Sequence, residues 1–138
     1  MSISSLFAKL GAALHNPRWS WGAVRASDGA VFLRVWQDRK VVNNRIPVMM
    51  ITHHEKFADD SENLGYQERL KHVELIRLGA KCYMVMCVAE NPSASPRNIK
   101  SFNDKEVFIG GDLCEMDGDT WVKVKERVPI SDIVARIR

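Results

Sequence analysis

Alternating hydrophobic and polar positions from Trp19 to Asp38 predict a β-hairpin. Asp28-Gly29 lies at the centre of this segment. The pair favours a two-residue type I′ turn, because both central positions of that turn need a positive φ. With this turn, Trp21 lies directly opposite Trp36.

The same alternation divides the predicted hairpin into two faces. One face is apolar and typical of a core; it consists of Gly22, Val24, Ala26, Val31, Leu33 and Val35. The other face consists of Trp21, Ala23, Arg25, Phe32, Arg34 and Trp36. Two tryptophans and two arginines suit a core poorly. We therefore interpret the second face as a candidate stacking platform.

The rest of the chain contains segments with helical spacing of apolar residues and segments with strand-like apolar runs. Amphipathic spacing predicts helices over 3–14, 65–78 and 130–137, and apolar runs predict strands over 46–52, 82–89, 106–116 and 120–128. Gly110-Gly111 predicts a bulge, Asp117-Gly118 a turn, 39–45 a polar linker and 91–98 a loop. Residues 1–138 are therefore expected to form a single α+β domain, with three helices and a small, bent, barrel-like sheet of about six strands.

Length and composition are those of a soluble globular protein: 138 residues, 46% hydrophobic and 27% charged. No apolar run approaches a membrane span, so no membrane partner is expected. The N-terminus shows no secretory signal pattern, and a cytoplasmic location is expected. Cys82, Cys87 and Cys114 are odd in number and lack C-x-x-C spacing, which predicts reduced core residues.

Positive charge is concentrated near the predicted hairpin. The net charge is +3, but residues 1–56 alone contain eight Lys or Arg and three Asp or Glu. This excess favours an anionic partner; the alternative is an ordinary solvated basic surface.

Catalytic and metal-binding patterns are weak. The sequence has no Ser-His-Asp signature, P-loop or Gly-rich dinucleotide fingerprint. His53-His54-Glu55 resembles a metal cluster, but adjacent residues of an extended chain point to opposite sides. The acidic residues at 59, 60 and 62 match no calcium loop. No catalytic residue, metal or cofactor is therefore predicted. An enzyme that acts on a small ligand inside the barrel remains a further hypothesis, besides the binding functions considered below.

A binding function explains the hairpin better. Base–aromatic stacking contributes about 1–3 kcal/mol per base, and arginine adds phosphate contacts. The predicted face offers both, with Trp21 and Trp36 beside Arg25 and Arg34. By the same alternation, Trp19 lies on the same face as Trp21. The predicted outward face of the last strand could extend this surface; it consists of Trp121, Lys123, Lys125 and Arg127. The alternative is that a helix covers the hairpin face and the tryptophans are core.

Several motifs together resemble a known family. They are W-S-W-G-A, V-F-L-R-V-W-Q-D, L-G-A-K-C-Y-M-V-M-C, S-P-R-N-I-K-S-F-N, V-F-I-G-G-D-L and D-G-D-T-W with R-V-P. This set is similar to domains that accompany HNH nuclease domains in modification-dependent restriction proteins. Those domains resemble the SRA and PUA-like folds, bent β-barrels that read modified bases. The likeness covers most of residues 15–135, and the chain lacks an H-N-H segment, so cleavage is not implied.

The resemblance implies recognition of DNA, including base flipping into an aromatic-lined pocket. Trp21 and Trp36 would be the walls of this pocket. Asp38 would accept a hydrogen bond from an exocyclic amine. Phosphates would be held by Arg25, Arg34 and Arg97, the last from a loop in which Ser95-Pro96 precedes it. A separate nuclease would be a natural partner.

Two function classes therefore compete. The first is a non-enzymatic nucleic-acid-binding module, with DNA favoured, whose candidate residues are Trp19, Trp21, Arg25, Arg34, Trp36, Asp38 and Arg97. The second is a protein-interaction or homodimerisation module that uses the same Trp face, since Trp and Arg are enriched at interface hot spots.

Overall fold

The computed structural model describes residues 1–53, 63–94 and 97–135. The helices are α1 (Ile3–Lys9), α2 (Leu64–Arg77) and α3 (Ile130–Ala135), with a 3₁₀ turn at Gln37–Arg39. The strands are β1 (Gly22–Val24), β2 (Val31–Trp36), β3 (Lys40–Asn43), β4 (Ile46–Met50), β5 (Cys82–Ala89), β6 (Ile99–Phe102), β7 (Glu106–Met116) and β8 (Asp119–Pro129).

The α+β class and the three helices are confirmed, whereas the small barrel-like sheet of about six strands is wrong. One large mixed sheet of eight strands has the order β1-β2-β5-β7-β8-β4-β3, and β6 pairs with β5 beside this path. The two unpredicted strands are β3, which lies in the predicted polar linker, and β6. Both are four residues long, which is too short for a clear period-2 signal.

The sheet coils strongly but stays open. Five strand spacings of about 4.8 Å would separate β2 from β3 in a flat sheet. The three residues Gln37–Arg39 connect them directly, and such a link spans only about 14 Å between flanking Cα atoms. The two ends of the sheet must therefore approach each other, although no ladder joins β3 to β2 within the described ranges.

Both faces of the central strand β5 are buried, as its unbroken apolar sequence predicts. On one face, Tyr83, Val85 and Cys87 pack with residues of α1 and α3. On the other, Cys82, Met84 and Met86 pack with α2 and with residues of β4 and β8. We call these the α1/α3 core and the α2 core. Cys82 and Cys87 are buried and free, as expected, and Cys114 is half-buried and free.

A pair of bulges lets β7 and β8 contribute to both cores. Lys125 is an extra residue on β8, and Gly111 and Asp112 together face one position of β8. Each bulge exchanges the inward and outward parities of its strand. Val128 accordingly packs in the α1/α3 core, whereas Val124, at the same parity, packs in the α2 core. The bulge predicted at Gly110-Gly111 is confirmed.

The predicted two-residue turn of the first hairpin is wrong. Ala23 pairs with Phe32, so Trp21 does not lie opposite Trp36. The connection is longer because Asp28 organises it: Asp28 Oδ1 accepts the Ala30 N–H at 3.1 Å, and Gly29 N–H donates to Arg25 O at 2.7 Å. The register moves by two residues, which preserves the predicted faces.

No helix among the described residues is long and apolar enough to cross a membrane.

We predict that Gly110→Ala destabilises the protein and that Gly111→Ala does not. A Cβ at Gly110 would lie 2.9 Å from Cys82 Sγ and 2.9 Å from a Val122 methyl, whereas one at Gly111 would meet nothing closer than 3.5 Å. Overpacking of this kind costs about 1–3 kcal/mol. Urea unfolding of both variants checks the difference. Adding Cys82→Ala should restore part of the loss, and equal stability of the two glycine variants would contradict this account.

Candidate nucleic-acid interface

The predicted stacking platform is largely covered. Ala23 and Phe32 are buried in the α1/α3 core, where Leu6 and Phe7 of α1 and Ile133 of α3 pack with them. Phe32 also stacks on Tyr83, with ring centroids 4.9 Å apart. A helix-covered face, the alternative weighed from the sequence, is therefore what this part of the hairpin forms.

Arg25 points into that core. Its guanidinium is therefore not accessible for the phosphate contact that we expected. Its residue is 2% exposed. The guanidinium donates to Asp28 through Nε at 3.0 Å and Nη2 at 2.6 Å, and its Cζ lies 5.2 Å from the Phe32 ring centroid. The hydrogen bonds from Arg25 hold the pKa of Asp28 down at about 2. Arg25 thus shapes the loop between β1 and β2.

Arg34 is also turned inward, which corrects its expected phosphate role. Its Nη1 donates to Ser20 O at 3.1 Å, and burial lowers its pKa. Its Nε is buried without a hydrogen-bond partner in the described part of the chain. A guanidinium in this position anchors the segment before β1 to β2.

The Trp21 side chain and the backbone carbonyl of Trp19 lie against the start of α2. A Cβ at Gly65 would lie 2.4 Å from Trp21 Nε1 and 2.6 Å from Trp19 O, so only glycine allows this approach. Trp21 also lies beside Tyr66, with ring centroids 6.1 Å apart. Both tryptophans are half-buried. The Trp21 indole and the Trp19 carbonyl thus form part of the site on which α2 docks.

Arg69 is the charged residue whose importance the sequence did not reveal. Its Nη1 donates to Ile51 O at 2.9 Å, and its Nη2 donates to Trp21 O at 3.0 Å and to Arg34 O. Burial lowers its pKa to about 10, so it stays charged at neutral pH. The only available signal was its position four residues after Gly65 on α2, which places both on one helical face.

A polar cluster surrounds Arg69. Glu68 Oε2 accepts from Ser20 Oγ at 3.2 Å, and burial raises the pKa of Glu68. Glu68 Oε1, Arg69 Nε and His72 Nδ1 are buried without partners in the described part of the chain. Helical spacing predicts an apolar stripe on α2 that contains Tyr66, Leu70, Val73 and Ile76/Arg77. In the structure Leu70 is 40% exposed, whereas Arg69 and His72 are buried.

The basic residues of β8 do not form one surface with the hairpin. β5 and β7 lie between β2 and β8 in the sheet. The bulge at Lys125 also places Lys123 and Arg127 on opposite faces. Arg127 Cζ lies 5.4 Å from the Phe108 ring centroid, and Trp121 is buried, with its Nε1 donating to Met116 O at 3.1 Å.

Three predicted site residues do converge at one place, which we call the Trp36 corner: Trp36, Asp38 and Arg97. Arg97 donates to Asp38 through Nη1 at 2.7 Å and Nη2 at 2.8 Å. The Arg97 Cζ lies 5.3 Å from the Trp36 ring centroid. Hydrogen bonds from Arg97 lower the pKa of Asp38. Residues that are about 60 positions apart in sequence thus form one polar and aromatic unit.

The roles within this corner differ from those expected. The Arg97 side chain is 6% exposed and the Asp38 side chain 35% exposed. Arg97 also donates to Pro92 O at 2.8 Å, so it ties its loop to the 3₁₀ turn and offers little to a phosphate. Asp38 keeps free lone pairs and remains able to accept from a ligand. Ser95 and Pro96 lie outside the described residues.

A cleft of about 350 Å³ lies between the end of α2 and the β7 bulge, lined by Ile76, Arg77, Gly79, Ala80, Lys81, Cys82, Gly110, Gly111, Asp112 and Leu113. This lining contains no aromatic side chain, so it does not match the expected aromatic pocket. The described residues contain no group of three or more potential metal ligands. His54, Glu55 and the acidic positions 59, 60 and 62 lie outside them.

We predict that Arg69→Met lowers the free energy of unfolding by about 2–4 kcal/mol, because it removes the side-chain donor from three carbonyl groups. Trp21 O retains the Arg34 N–H at 2.8 Å, so most of the loss should come from Ile51 O and Arg34 O. Lys71→Met is the matched control: Lys71 is exposed on the same helix, and its replacement should change stability by less than about 0.5 kcal/mol. Urea unfolding measures both. A loss below about 1 kcal/mol for Arg69→Met would show that these hydrogen bonds contribute little.

We predict a pH dependence from His72. Burial, followed by the charge of Arg69, lowers its pKa from 6.5 to about 4. Between these two values the unfolded chain binds a proton that the folded chain does not, so stability falls as pH falls from 6.5 and levels off below about 4. His72→Gln should remove about 2–3 kcal/mol of this change. The measurement is the free energy of unfolding against pH from about 4 to 6.5. If it changes with pH equally in the wild type and in His72→Gln, the assignment of this pH dependence to His72 is wrong.

Comparison with protein-family models, with curated proteins and with solved structures found no match to this chain.

Proposed function

We propose that this chain is a non-enzymatic nucleic-acid-binding module, with DNA as the favoured partner, and that it binds at the Trp36 corner. The observation that carries this proposal is the convergence of Trp36, Asp38 and Arg97, with Arg97 held by two hydrogen bonds beside the indole ring. An aromatic ring, a carboxylate and a fixed guanidinium are the groups that stacking and base-edge recognition use.

The position of the corner in the sheet supports a binding role. β2 and β5 are parallel, and Trp36 pairs with Cys87 near the carboxyl ends of both strands. The 3₁₀ turn with Asp38 follows β2, and the loop with Arg97 follows β5. Loops at the carboxyl ends of parallel strands are a common place for ligand sites in open sheets, because a rigid scaffold holds both loops.

Charge near the corner also favours an anion. Arg39 and Lys40 follow Asp38 directly, and Lys100 lies on β6, which pairs with the end of β5. Lys40 and Lys100 are exposed. Because Asp38 and Arg97 neutralise each other, these cations would supply the phosphate contacts that we expected from Arg25, Arg34 and Arg97.

Each part of the corner then has a distinct role. The exposed part of the Trp36 indole stacks a base, Asp38 accepts a hydrogen bond from its exocyclic amine, and Arg97 positions both groups. Recognition of a modified base by an SRA or PUA-like domain is the finer form of the proposal. The coiled sheet with packed helices and the motif resemblance support it.

Docking of a protein on the same Trp face has less support. Trp21 packs against α2, and Phe32 and Arg25 are buried in the α1/α3 core. A partner protein would therefore find a small part of the predicted face exposed. Interface hot spots are enriched in accessible Trp, Tyr and Arg side chains, and these residues of the face are largely covered.

We predict that Trp36→Leu weakens binding to duplex DNA about fivefold to a hundredfold, which corresponds to the loss of one stacked base, and reduces any preference between modified and unmodified duplexes. Fluorescence anisotropy should use unmodified, methylated, hydroxymethylated and phosphorothioated duplexes at 50 and 200 mM salt. Trp19→Leu is the matched control, because Trp19 is a half-buried tryptophan outside the corner. Its affinity per folded molecule should equal that of the wild type.

Two results would overturn the proposal. The first is wild-type protein that binds no nucleic acid at 50 mM salt. The second is equal loss of affinity in both tryptophan variants, which would place the effect in folding. Circular dichroism of each variant checks that it is folded.

A further inference from the structure

We propose that the β3–β4 hairpin (Lys40–Met50) is a second contact element that grips the backbone of duplex DNA beside the Trp36 corner. This inference rests on the proposed function. The 3₁₀ turn Gln37–Arg39 joins the corner directly to β3, so a duplex held at Trp36 passes close to the start of the hairpin.

The charge of this hairpin suits a polyanion. Residues 39–53 contain Arg39, Lys40 and Arg45 but no Asp or Glu. Lys40 and Arg45 form no ion pair in the described part of the chain. Every residue of β3 is exposed. An edge strand with unneutralised cations is therefore presented to solvent.

The turn of this hairpin contains an arginine where the backbone favours glycine. Asn43 pairs with Ile46, so Asn44 and Arg45 form a two-residue turn, and both have positive φ, 52° and 68°. A type I′ turn strongly prefers Asn-Gly, because a side chain at positive φ is strained. Strain of this kind at an exposed residue points to a functional use of its side chain.

The same chain contains a matched turn with the favoured residue. Met116 pairs with Asp119 across Asp117 and Gly118, whose φ values are 52° and 82°. Both turns have the same length and the same signs of φ, but the β7–β8 turn has glycine at the second position. The local backbone alone would thus select Gly at position 45, and Arg45 needs another explanation.

Exposed apolar side chains on the hairpin raise the rival possibility of a protein partner. Val42 is 69% exposed, Val41 43% and Ile46 40%. A second copy of the chain could in principle add to the edge of β3. Charge decides between the two: an anionic backbone complements Lys40 and Arg45, whereas a second copy would bring two basic hairpins together. The valines would then contact sugars and thymine methyl groups.

The decisive variant is Arg45→Gly, because the proposal predicts opposite changes in stability and affinity. Glycine relieves the positive φ, so the thermal midpoint should rise or stay the same. Affinity for duplex DNA should fall, and the slope of log K against log salt should become less steep by about 0.9. Lys40→Gln should reduce the slope by a similar amount.

Lys81→Gln is the control. Lys81 is exposed and directly precedes β5, so it lies at the opposite end of that strand from Cys87 and the Trp36 corner. Its replacement should therefore leave the salt slope unchanged. Anisotropy with an unmodified duplex between 50 and 200 mM salt measures all variants. Sedimentation of the wild type and Arg45→Gly measures self-association.

The outcomes separate the two proposals. If the wild type binds and Trp36→Leu weakens binding, but Arg45→Gly keeps the full affinity and slope, the hairpin inference is wrong and the corner remains. If the wild type binds no duplex, both are wrong. A wild-type dimer that Arg45→Gly strengthens, without loss of DNA affinity, would assign the hairpin to self-association instead.

Discussion

The guanidinium of Arg69 is the interaction on which the arrangement of this fold depends. It donates to Trp21 O and Arg34 O, at the β1–β2 end of the sheet, and to Ile51 O, directly after β4. These carbonyl groups belong to opposite ends of the strand order. A coiled sheet that does not close leaves backbone acceptors without ladder partners, and a buried acceptor without a donor is costly. Arg69 supplies donors to both ends at once and thereby fixes how closely they approach.

A second constraint comes from the paired bulges of β7 and β8. Without them, each of these eleven-residue strands would offer one apolar face along its whole length. The extra residues exchange the two faces, so that the same strands fill the α1/α3 core at one end and the α2 core at the other. The cost of this arrangement is close packing at Gly110, where Cys82 and Val122 leave no room for a side chain.

These constraints also decide which polar groups remain available to a partner. The cations in the first hairpin are used internally, Arg25 on Asp28 and Arg34 on Ser20 O. The Trp36 corner lies at the carboxyl ends of the parallel pair, where neither helix packing nor ladder formation consumes the Asp38 lone pairs. Exposed positive charge continues from there into β3. The proposed partner surface thus lies at the end of the strands, beyond the part of the hairpin face that the helices cover.

The sequence by itself determined the elements with a strong local signal. The spacing of apolar residues predicted three helices and the buried strand 82–89. Gly110-Gly111 predicted the bulge, and the structure shows that Gly110 is the position where Cys82 and Val122 leave no room for a Cβ. The alternation in 19–38 correctly separated the two faces of β2, which pack in the α1/α3 core and the α2 core. It did not place Trp21, which contacts the start of α2. Only the tertiary structure decided what those faces contact. Burial of Arg25 depends on Asp28 and on helices far along the chain, and the partners of Arg69 are three carbonyl groups, which every residue carries and no side-chain pattern can reveal. The ion pair of Asp38 with Arg97 likewise depends on the parallel pairing of β2 with β5, a non-local contact that local periodicity does not encode.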